Sequence, residues 1–188
     1  EARKGFKAWY AFSAPRSLPV HATAHILVPL LANGPIFAPV PADNDRTLMM
    51  ASGGFSIRVD NDEFDPWYVL GLLNSAPLWW QLRFLTRNNR FRGDWVTCTK
   101  QYFGQLRIAD PRGSEQRSSQ ATEIAQIARG LSELYGRDTS ALTMGERQRH
   151  DRRIVAMNRQ LDQRAAALYG LRECDLQLIA EEMGIQAG

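Results

Sequence analysis

The sequence predicts an α+β fold, in which a mixed sheet with embedded helices (about residues 1–112) is followed by an α-helical tail (113–188). Short apolar runs bounded by Pro and Gly fill the first half, as is typical of strands. Two apolar helices are embedded in that half, and from Glu115 onward apolar residues recur only at helical spacing. With 188 residues, 44% of them hydrophobic, the chain can bury a core as one domain or two.

Strands are predicted where β-branched and aromatic residues lie between turn residues. They are Lys7–Phe12, Ile26–Leu31, Ile36–Val40, and a hairpin of Leu48–Ala51 with Phe55–Val59. Pro39 and Pro41 place the third strand at a sheet edge, because proline cannot donate to a hydrogen-bond ladder. Gly53 and Gly54 supply the positive φ that a tight hairpin turn needs.

The stretch Asp65–Thr99 is the one around which the chain is organised. Asp65 and Pro66 predict the start of a buried apolar helix that ends at Leu73. After the stop at Asn74, Ser75 is expected to cap a second helix that reaches Leu85. Trp79 and Trp80 leave that helix about 100° apart, so they cannot both face one core. One is expected in the core; the other either packs under the following loop or stacks on a base.

Behind this stretch the sequence predicts two short strands, a linker and three helices. The first part is strand Trp95–Cys98, a helix or turn Thr99–Phe103, strand Gln105–Ile108 and the linker Asp110–Ser114. The tail has a helix ending near Tyr135-Gly136, one from about Met144 to Tyr169, and a short one over Glu173–Met183. The connection Arg137–Thr143 is short enough to fold the first two tail helices into an antiparallel pair.

The charge is small overall but unevenly distributed. The net charge is +3; residues 1–112 carry 13 basic against 9 acidic side chains, and residues 113–188 carry 10 against 11. Within 83–107 six basic residues are opposed only by Asp94, namely Arg83, Arg87, Arg90, Arg92, Lys100 and Arg107. This local excess favours a polyanionic partner.

The candidate site is therefore a nucleic-acid contact surface that includes the loop after the second helix. Its predicted residues are Arg16, Arg83, Arg87, Asn88, Asn89, Arg90, Arg92 and Lys100. Arginine forks bidentately onto guanine or phosphate, and asparagine can pair with the adenine edge. Two alternatives stay open: the arginines only solvate the loop, and the Asn pair consists of turn residues that tolerate the left-handed conformation.

Sequence motifs for catalysis and metal binding are missing. There is no Gly-rich phosphate loop, metal-ligand cluster or nucleophile elbow. His21 and His25 are four residues apart, but the neighbouring Pro19 argues against a helical metal site. The acidic residues 60–63 are expected to form a solvated turn. We expect neither a catalytic residue nor a metal or cofactor in this segment.

The cysteines and the lengths of the apolar runs predict the cellular compartment of the protein. The two cysteines, Cys98 and Cys174, are far apart, which is typical of a reduced compartment. No apolar run is long enough to cross a membrane, so a cytoplasmic protein is expected. The abrupt opening at Glu1 predicts a piece of a longer protein.

The chain resembles one protein family: the C-terminal target-recognition region of TaqI-type N6-adenine DNA methyltransferases and type IIG restriction–modification enzymes. The resemblance is carried from Trp9 to the end by Trp9-Tyr10, Ile26–Pro29, YVLGLLNSAPLWW (Tyr68–Trp80), Gly93, Thr99-Lys100 with Tyr102, and LYGL (Leu168–Leu171) followed by Glu173 and Asp175. Arg107-Ile108-Ala109 departs from it, because the family usually has Pro-Ile-Pro at this strand end.

The resemblance implies sequence-specific recognition of double-stranded DNA by a region with no catalysis of its own. The catalytic domain of the family lies upstream and binds S-adenosylmethionine, so the expected partners are duplex DNA and that domain. The family motif fixes no base-contacting residue, so the candidate residues rest on charge and placement. The alternative function is a protein-docking module that uses the tail helix pair. Salt separates the two, because only a DNA reader releases counterions from phosphates.

Overall fold

The computed structural model describes residues 23–41, 53–59, 64–88, 90–91 and 95–184, with Arg90 and Phe91 described in their backbone only. The α+β class is confirmed, and the C-terminal region is helical. The strands are β1 (Ile26–Pro29), β2 (Leu31–Ala32), β3 (Ala38–Pro39), β4 (Gly54–Ile57), β5 (Arg90–Phe91) and β6 (Trp95–Thr97). The helices are α1 (Pro66–Leu73), α2 (Ala76–Leu85), α3 (Lys100–Phe103), α4 (Glu115–Gly136), α5 (Met144–Leu168) and α6 (Glu173–Met183). A 3-10 turn, Pro111–Gly113, precedes α4.

The described strands form two small sheets. One has the order β3-β1-β4 and the other β2-β6-β5, and every pairing in them is antiparallel. A single mixed sheet was expected, and among the described strands no parallel pair is present. β3 lies at the edge of its sheet, as its prolines predict.

The predicted strand Ile26–Leu31 is in fact two strands in different sheets. The chain leaves β1 at Pro29 and enters β2 at Leu31, and between them the Leu30 carbonyl accepts a hydrogen bond from Cys98 N (2.7 Å). The two strands therefore join both sheets at one residue. A periodicity argument misses this break because all the residues are apolar.

The predicted hairpin is only partly described. Its second arm is β4, which pairs with β1 from Ile26↔Ile57 to Pro29↔Gly54. The first arm, 48–51, lies outside the described residues, as do strand 7–12 and the acidic turn 60–63.

The predicted strand Gln105–Ile108 is wrong: these residues are not in a strand. Their backbone groups are bound by side chains of the helices instead of a neighbouring strand. Gln81 Oε1 accepts from Arg107 N (3.0 Å), and Tyr169 donates its hydroxyl to Arg107 O (2.7 Å). Because distant side chains supply these partners, strand propensity could not reveal them.

Helices α1 and α2 begin and end close to the predicted residues. Asp65 caps α1 by accepting from Trp67 N (2.8 Å), as expected. Ser75 does not cap α2 with its side chain, because its hydroxyl donates to Leu72 O (2.6 Å). The acceptor at the α2 N-terminus is Asp162 of α5, whose Oδ1 lies 2.7 Å from Ala76 N. Asp162, 86 residues away, thus accepts the hydrogen bond at the start of α2 that Ser75 was expected to accept.

Asn74, which ends α1, also holds the segment before β3. Its side chain accepts from Phe37 N (3.0 Å) and donates to Phe37 O (2.9 Å). The amide therefore pairs with a backbone as a neighbouring strand would. Phe37 is thereby kept in the core, edge-to-face with Phe103 at 5.4 Å.

The tail helices α4 and α5 form an antiparallel pair. Three contacts show the direction: Glu123 with Arg164, Gly130 with Met157, and Leu134 with His150. The tail shares one hydrophobic core with the first half, which runs from Ile26 to Leu168.

Helices α1 and α4 approach each other closely in this core. A Cβ at Gly71 would lie 2.7 Å from Cγ2 of Ile124 and 3.2 Å from its carbonyl oxygen. Glycine is required there because the two helix backbones nearly touch.

Candidate nucleic-acid interface

The outer face of α2 carries an aromatic and basic cluster at helical spacing. Trp80 and Phe84 stack with 5.9 Å between ring centroids, and the Arg87 guanidinium lies 4.4 Å from the Phe84 centroid. Phe84 is 50% exposed, and Arg87 is exposed too. We call Trp80, Phe84 and Arg87 the aromatic corner.

The opposite face of α2 explains why the corner is at the surface. Leu78, Trp79 and Leu82 are buried, with Trp79 2% exposed. The prediction that Trp79 and Trp80 diverge is therefore confirmed: Trp79 is core, and Trp80 lies outside. Because the core fixes the roll of the helix, Trp80, Phe84 four residues later and Arg87 three residues after that lie on the side away from the core.

Three of the predicted site residues are found at the surface. Arg87, Asn88 and Lys100 are exposed, with Arg87 and Asn88 just after α2 and Lys100 at the start of α3, which contacts α2. The structure thus leaves two cations and one amide exposed on segments that follow or contact α2. No contact joins them directly in the described residues, so a ligand would have to bridge them.

Arg83 is placed differently from the expectation. It is 9% exposed, on the buried side of α2, and its side chain already has a partner. A guanidinium in this position is not presented to a duplex, and Arg83 is best removed from the candidate site. Arg16, Asn89 and Arg92 lie outside the described residues.

The predicted basic loop is partly a β-hairpin. After a turn at 86–88, β5 pairs with β6 through Arg90↔Val96 and Phe91↔Trp95. Trp95 is 40% exposed. Because β6 also pairs with β2, this hairpin is the outer part of a three-stranded sheet. A free loop would first have to be ordered on binding, whereas this backbone is already held.

Arg107 is an additional residue of this surface. It is exposed, and the bond from its backbone N to Gln81 Oε1 holds it beside the outer face of α2. The sequence shows Arg107 within a basic region but not its position, because the holding contacts come from Gln81 and Tyr169. Phe84 was also missed, although its spacing from Trp80 and Arg87 is visible in the sequence.

An acidic helix limits the surface on one side. α6 contacts α2, carries four acidic residues and no basic one, and its Glu182 accepts a hydrogen bond from Trp80 Nε1. A phosphate backbone would be repelled from this end. The usable surface therefore extends from Phe84 and Arg87 toward the hairpin.

Within the described ranges, no group of three or more His, Cys, Asp or Glu could hold a metal ion. His25 Nδ1 accepts from Val59 N (3.0 Å), so this nitrogen is engaged in the fold. Burial raises the pKa of Cys98 to about 12, which keeps it an unreactive thiol.

No protein-family model, curated protein or solved structure matches this chain. The resemblance to adenine methyltransferase recognition regions therefore rests on the quoted motifs, and DNA recognition stays a prediction. Among the described helices, none is long and apolar enough to cross a membrane.

Proposed function

We propose that this chain recognises a sequence in double-stranded DNA, as the specificity part of an N6-adenine DNA methyltransferase or restriction–modification enzyme. It contributes no catalysis itself; S-adenosylmethionine belongs to an upstream methyltransferase domain. In this proposal the protein acts in the cytoplasm, on DNA. The single observation that carries the proposal is the aromatic corner, which presents a guanidinium on an exposed ring beside a hairpin.

The corner has the chemistry of a nucleic-acid surface. Arg87 keeps its guanidinium donors for phosphate or guanine, while the ring below restricts its orientation and lowers the entropy lost on binding. Lys100 and Arg107 add exposed cations that suit backbone phosphates. The pairing of β5 with β6 holds the backbone of this basic segment in place, so that it need not be ordered when DNA binds.

Rigidity supports the same function. α2 is fixed by its buried face, by Asp162 at its start and by contacts with α6. A reader on a rigid helix holds the duplex in one register, which a methyltransferase needs while its target adenine is flipped out of the stack.

The alternative function, protein docking by the helix pair, is favoured by a separate observation. Three large apolar side chains of α4, α5 and their ends are strongly exposed: Tyr135 at 65%, Met144 at 88% and Val155 at 68%. A protein docked on the helix pair would remove these apolar side chains from water. This surface also carries Arg152 and Arg159, one turn to either side of Val155.

The experiment compares two double variants that each remove two positive charges. Arg87→Ala with Lys100→Ala alters the proposed interface, and Arg152→Ala with Arg159→Ala alters the helix-pair surface. Binding of a random-sequence duplex pool is measured by fluorescence anisotropy between low and physiological salt. For the first variant we expect roughly tenfold weaker binding and a salt slope smaller by about 2, since each phosphate contact contributes about 0.9.

The control variant should bind DNA within twofold of the unchanged chain. Equal losses in both variants would show non-specific charge attraction and contradict the proposed interface. An effect confined to Arg152 and Arg159 would favour the helix pair as the contact surface. Sequencing of the bound pool shows whether bases are read.

A further inference from the structure

A second basic cluster lies at the other end of the molecule, between α4 and α5. Arg137, Arg149 and Arg153 line a cleft of about 290 Å³. Arg137 follows the last residue of α4, and the other two are one turn apart on α5. We call this group the arginine cleft.

The backbone around the arginine cleft is held by several hydrogen bonds. Leu134 O accepts from Arg137 N (3.3 Å) and lies 3.0 Å from His150 Nε2, which ties the end of α4 to α5. Thr143 and Glu146 form a reciprocal capping box at the start of α5. The backbone of the cleft is thus preformed, so that only the exposed arginine side chains are ordered on binding.

The three guanidinium groups of the cleft are not neutralised. Among the described residues none of them forms an ion pair, and the only carboxylate in the lining is Glu146. Glu146 Oε2 is already bonded to Thr143 N (2.8 Å) and Thr143 Oγ1 (2.7 Å). These bonds, followed by the charges of Arg149 and Arg137, lower the pKa of Glu146. The lining keeps a net positive charge.

His150 marks the wall of the cleft. Its side chain is 9% exposed, and its buried Nδ1 has no hydrogen-bond partner, since Asp151 Oδ1 is 3.6 Å away. A buried polar atom without a protein partner is costly, which favours a ligand that supplies one. In the sequence of α5, His150 directly follows Arg149 and precedes Asp151, and Arg153 comes three residues after His150.

We propose that the arginine cleft binds a phosphate group. A planar guanidinium group can donate two hydrogen bonds to two oxygens of one phosphate. Three guanidinium groups around one small cleft are more than is needed to keep a surface solvated. The volume is at the lower limit of small-molecule sites, about 300 Å³, and the lining contains no Phe, Tyr or Trp to stack a base. The cleft therefore suits the phosphate itself rather than a nucleoside.

Two sources supply this chemistry: inorganic phosphate or a phosphate monoester in solution, and a backbone phosphate of a duplex. The inference goes beyond the proposed DNA function, and its first test contains no DNA. Failure of DNA recognition therefore leaves the phosphate result standing, and the reverse also holds.

The test uses Arg149→Gln with Arg153→Gln in the full chain, with Arg152→Gln and Arg159→Gln as the matched control on the same helix. Inorganic phosphate is titrated by calorimetry in a low-chloride, phosphate-free buffer. We expect the cleft variant to lose at least tenfold in phosphate affinity and the control to stay within twofold. The histidine ring signals in ¹⁵N spectra should show His150 shifting on phosphate addition, and not in the cleft variant.

Duplex binding by the same variants identifies where the bound phosphate comes from. Weaker phosphate binding with unchanged duplex affinity identifies a free phosphate, and a loss of duplex affinity specific to the cleft variant identifies the backbone. Equal behaviour of cleft and control variants toward both ligands would overturn the proposal, as would the absence of binding to either ligand by the unchanged chain.

A measurement without substitutions guards against misfolded variants. Phenylglyoxal modifies accessible arginines, and mass spectrometry locates the modified residues. Phosphate should slow modification of Arg149 and Arg153 but not of Arg152 and Arg159. Equal rates at all four positions with and without phosphate would contradict occupation of the cleft.

Discussion

The aromatic corner and the arginine cleft are both basic, yet their arginines are used differently. In the corner, Arg87 lies on Phe84, and the surface around it is aromatic and exposed. In the cleft, three arginines and one carboxylate, that of Glu146, surround a small volume without an aromatic side chain. The first arrangement suits an extended partner with bases and phosphates, and the second suits one compact anion.

The comparison also shows how charge counting can mislead. Residues 113–188 are nearly neutral as a whole, which hid the cleft. Counted by element, α5 has six arginines against three acidic residues, while α6 has four acidic residues and no basic one. The opposite charges lie on different helices, so their sum describes neither surface.

The largest expected effect would come from reversing charge in the cleft. Arg149→Glu with Arg153→Glu should lower phosphate affinity by a hundredfold or more, because two attractions become repulsions. Arg87→Glu with Lys100→Glu should leave phosphate affinity within twofold. Calorimetry on both variants checks this; a similar loss in each would erase the distinction between the two regions.

The next effect concerns Asp162, which joins α5 to the start of α2 and so links the two regions. Burial raises its pKa to about 6, partly opposed by the hydrogen bond from Ala76 N. The folded state therefore holds the carboxyl proton of Asp162 more tightly than the unfolded state does. The protonated carboxyl contributes all of its stabilisation below about pH 4, and this stabilisation is lost as the pH rises to about 6.

Asp162→Asn keeps an oxygen acceptor for Ala76 without the buried charge. We compare the free energy of unfolding of the variant with that of the unchanged chain at each pH. This difference should shift in favour of the variant by up to about 3 kcal/mol between pH 4 and pH 7, at about 1.4 kcal/mol per pKa unit. Urea unfolding at pH 4, 5, 6 and 7 measures the difference. Parallel stability curves for the two proteins would show that Asp162 titrates normally.

A smaller effect is expected at the shared core beneath both regions. Gly71→Ala should destabilise the fold by a net of about 1–2 kcal/mol, because overpacking against Ile124 outweighs the gain in helix propensity. Gly145→Ala is the control, since its nearest neighbour would be the end of Arg149 at 3.9 Å. In thermal unfolding, the control variant should have a melting temperature equal to or above that of the unchanged chain. If Gly71→Ala raised the melting temperature, α1 and α4 would be free to move apart.

The smallest effect separates the two components of the aromatic corner. Phe84→Ala should weaken duplex binding by about 1 kcal/mol through lost stacking, with an unchanged salt slope. Arg87→Ala should reduce the salt slope by about 0.9. Anisotropy titrations at four salt concentrations distinguish them. If Phe84→Ala changed the slope as much as Arg87→Ala, the ring would act only by holding the guanidinium.

Local signals predicted much of the fold. Helices α1, α5 and α6 agree with expectation because their caps and apolar spacing lie within the helices themselves. The predicted strands that failed or broke, 105–108 and 26–31, depend on partners distant in the sequence: Gln81 lies 26 residues from Arg107, and Cys98 N donates to Leu30 O. The serine expected to cap α2 was replaced by an aspartate from α5 for the same reason.

The candidate site was less predictable than the fold. Density of charge pointed to Arg87 and Lys100, which are exposed, and equally to Arg83, which is buried. Sequence spacing alone does not reveal which side of α2 faces the core when Trp79 and Trp80 are adjacent. Arg107 and the arginine cleft become visible only when contacts between elements are known.

The side-chain bonds to the segment 105–109 have a consequence for biosynthesis. Tyr169 donates to Arg107 O and accepts from Ala109 N, across 62 and 60 residues. At a synthesis rate of roughly 5–20 residues per second, Tyr169 is synthesised about 3–12 s after this segment. The passage of Tyr169 through the ribosome lengthens the delay. The part of the surface that carries Arg107 is therefore completed last on a nascent chain, after α2 and the hairpin have already emerged.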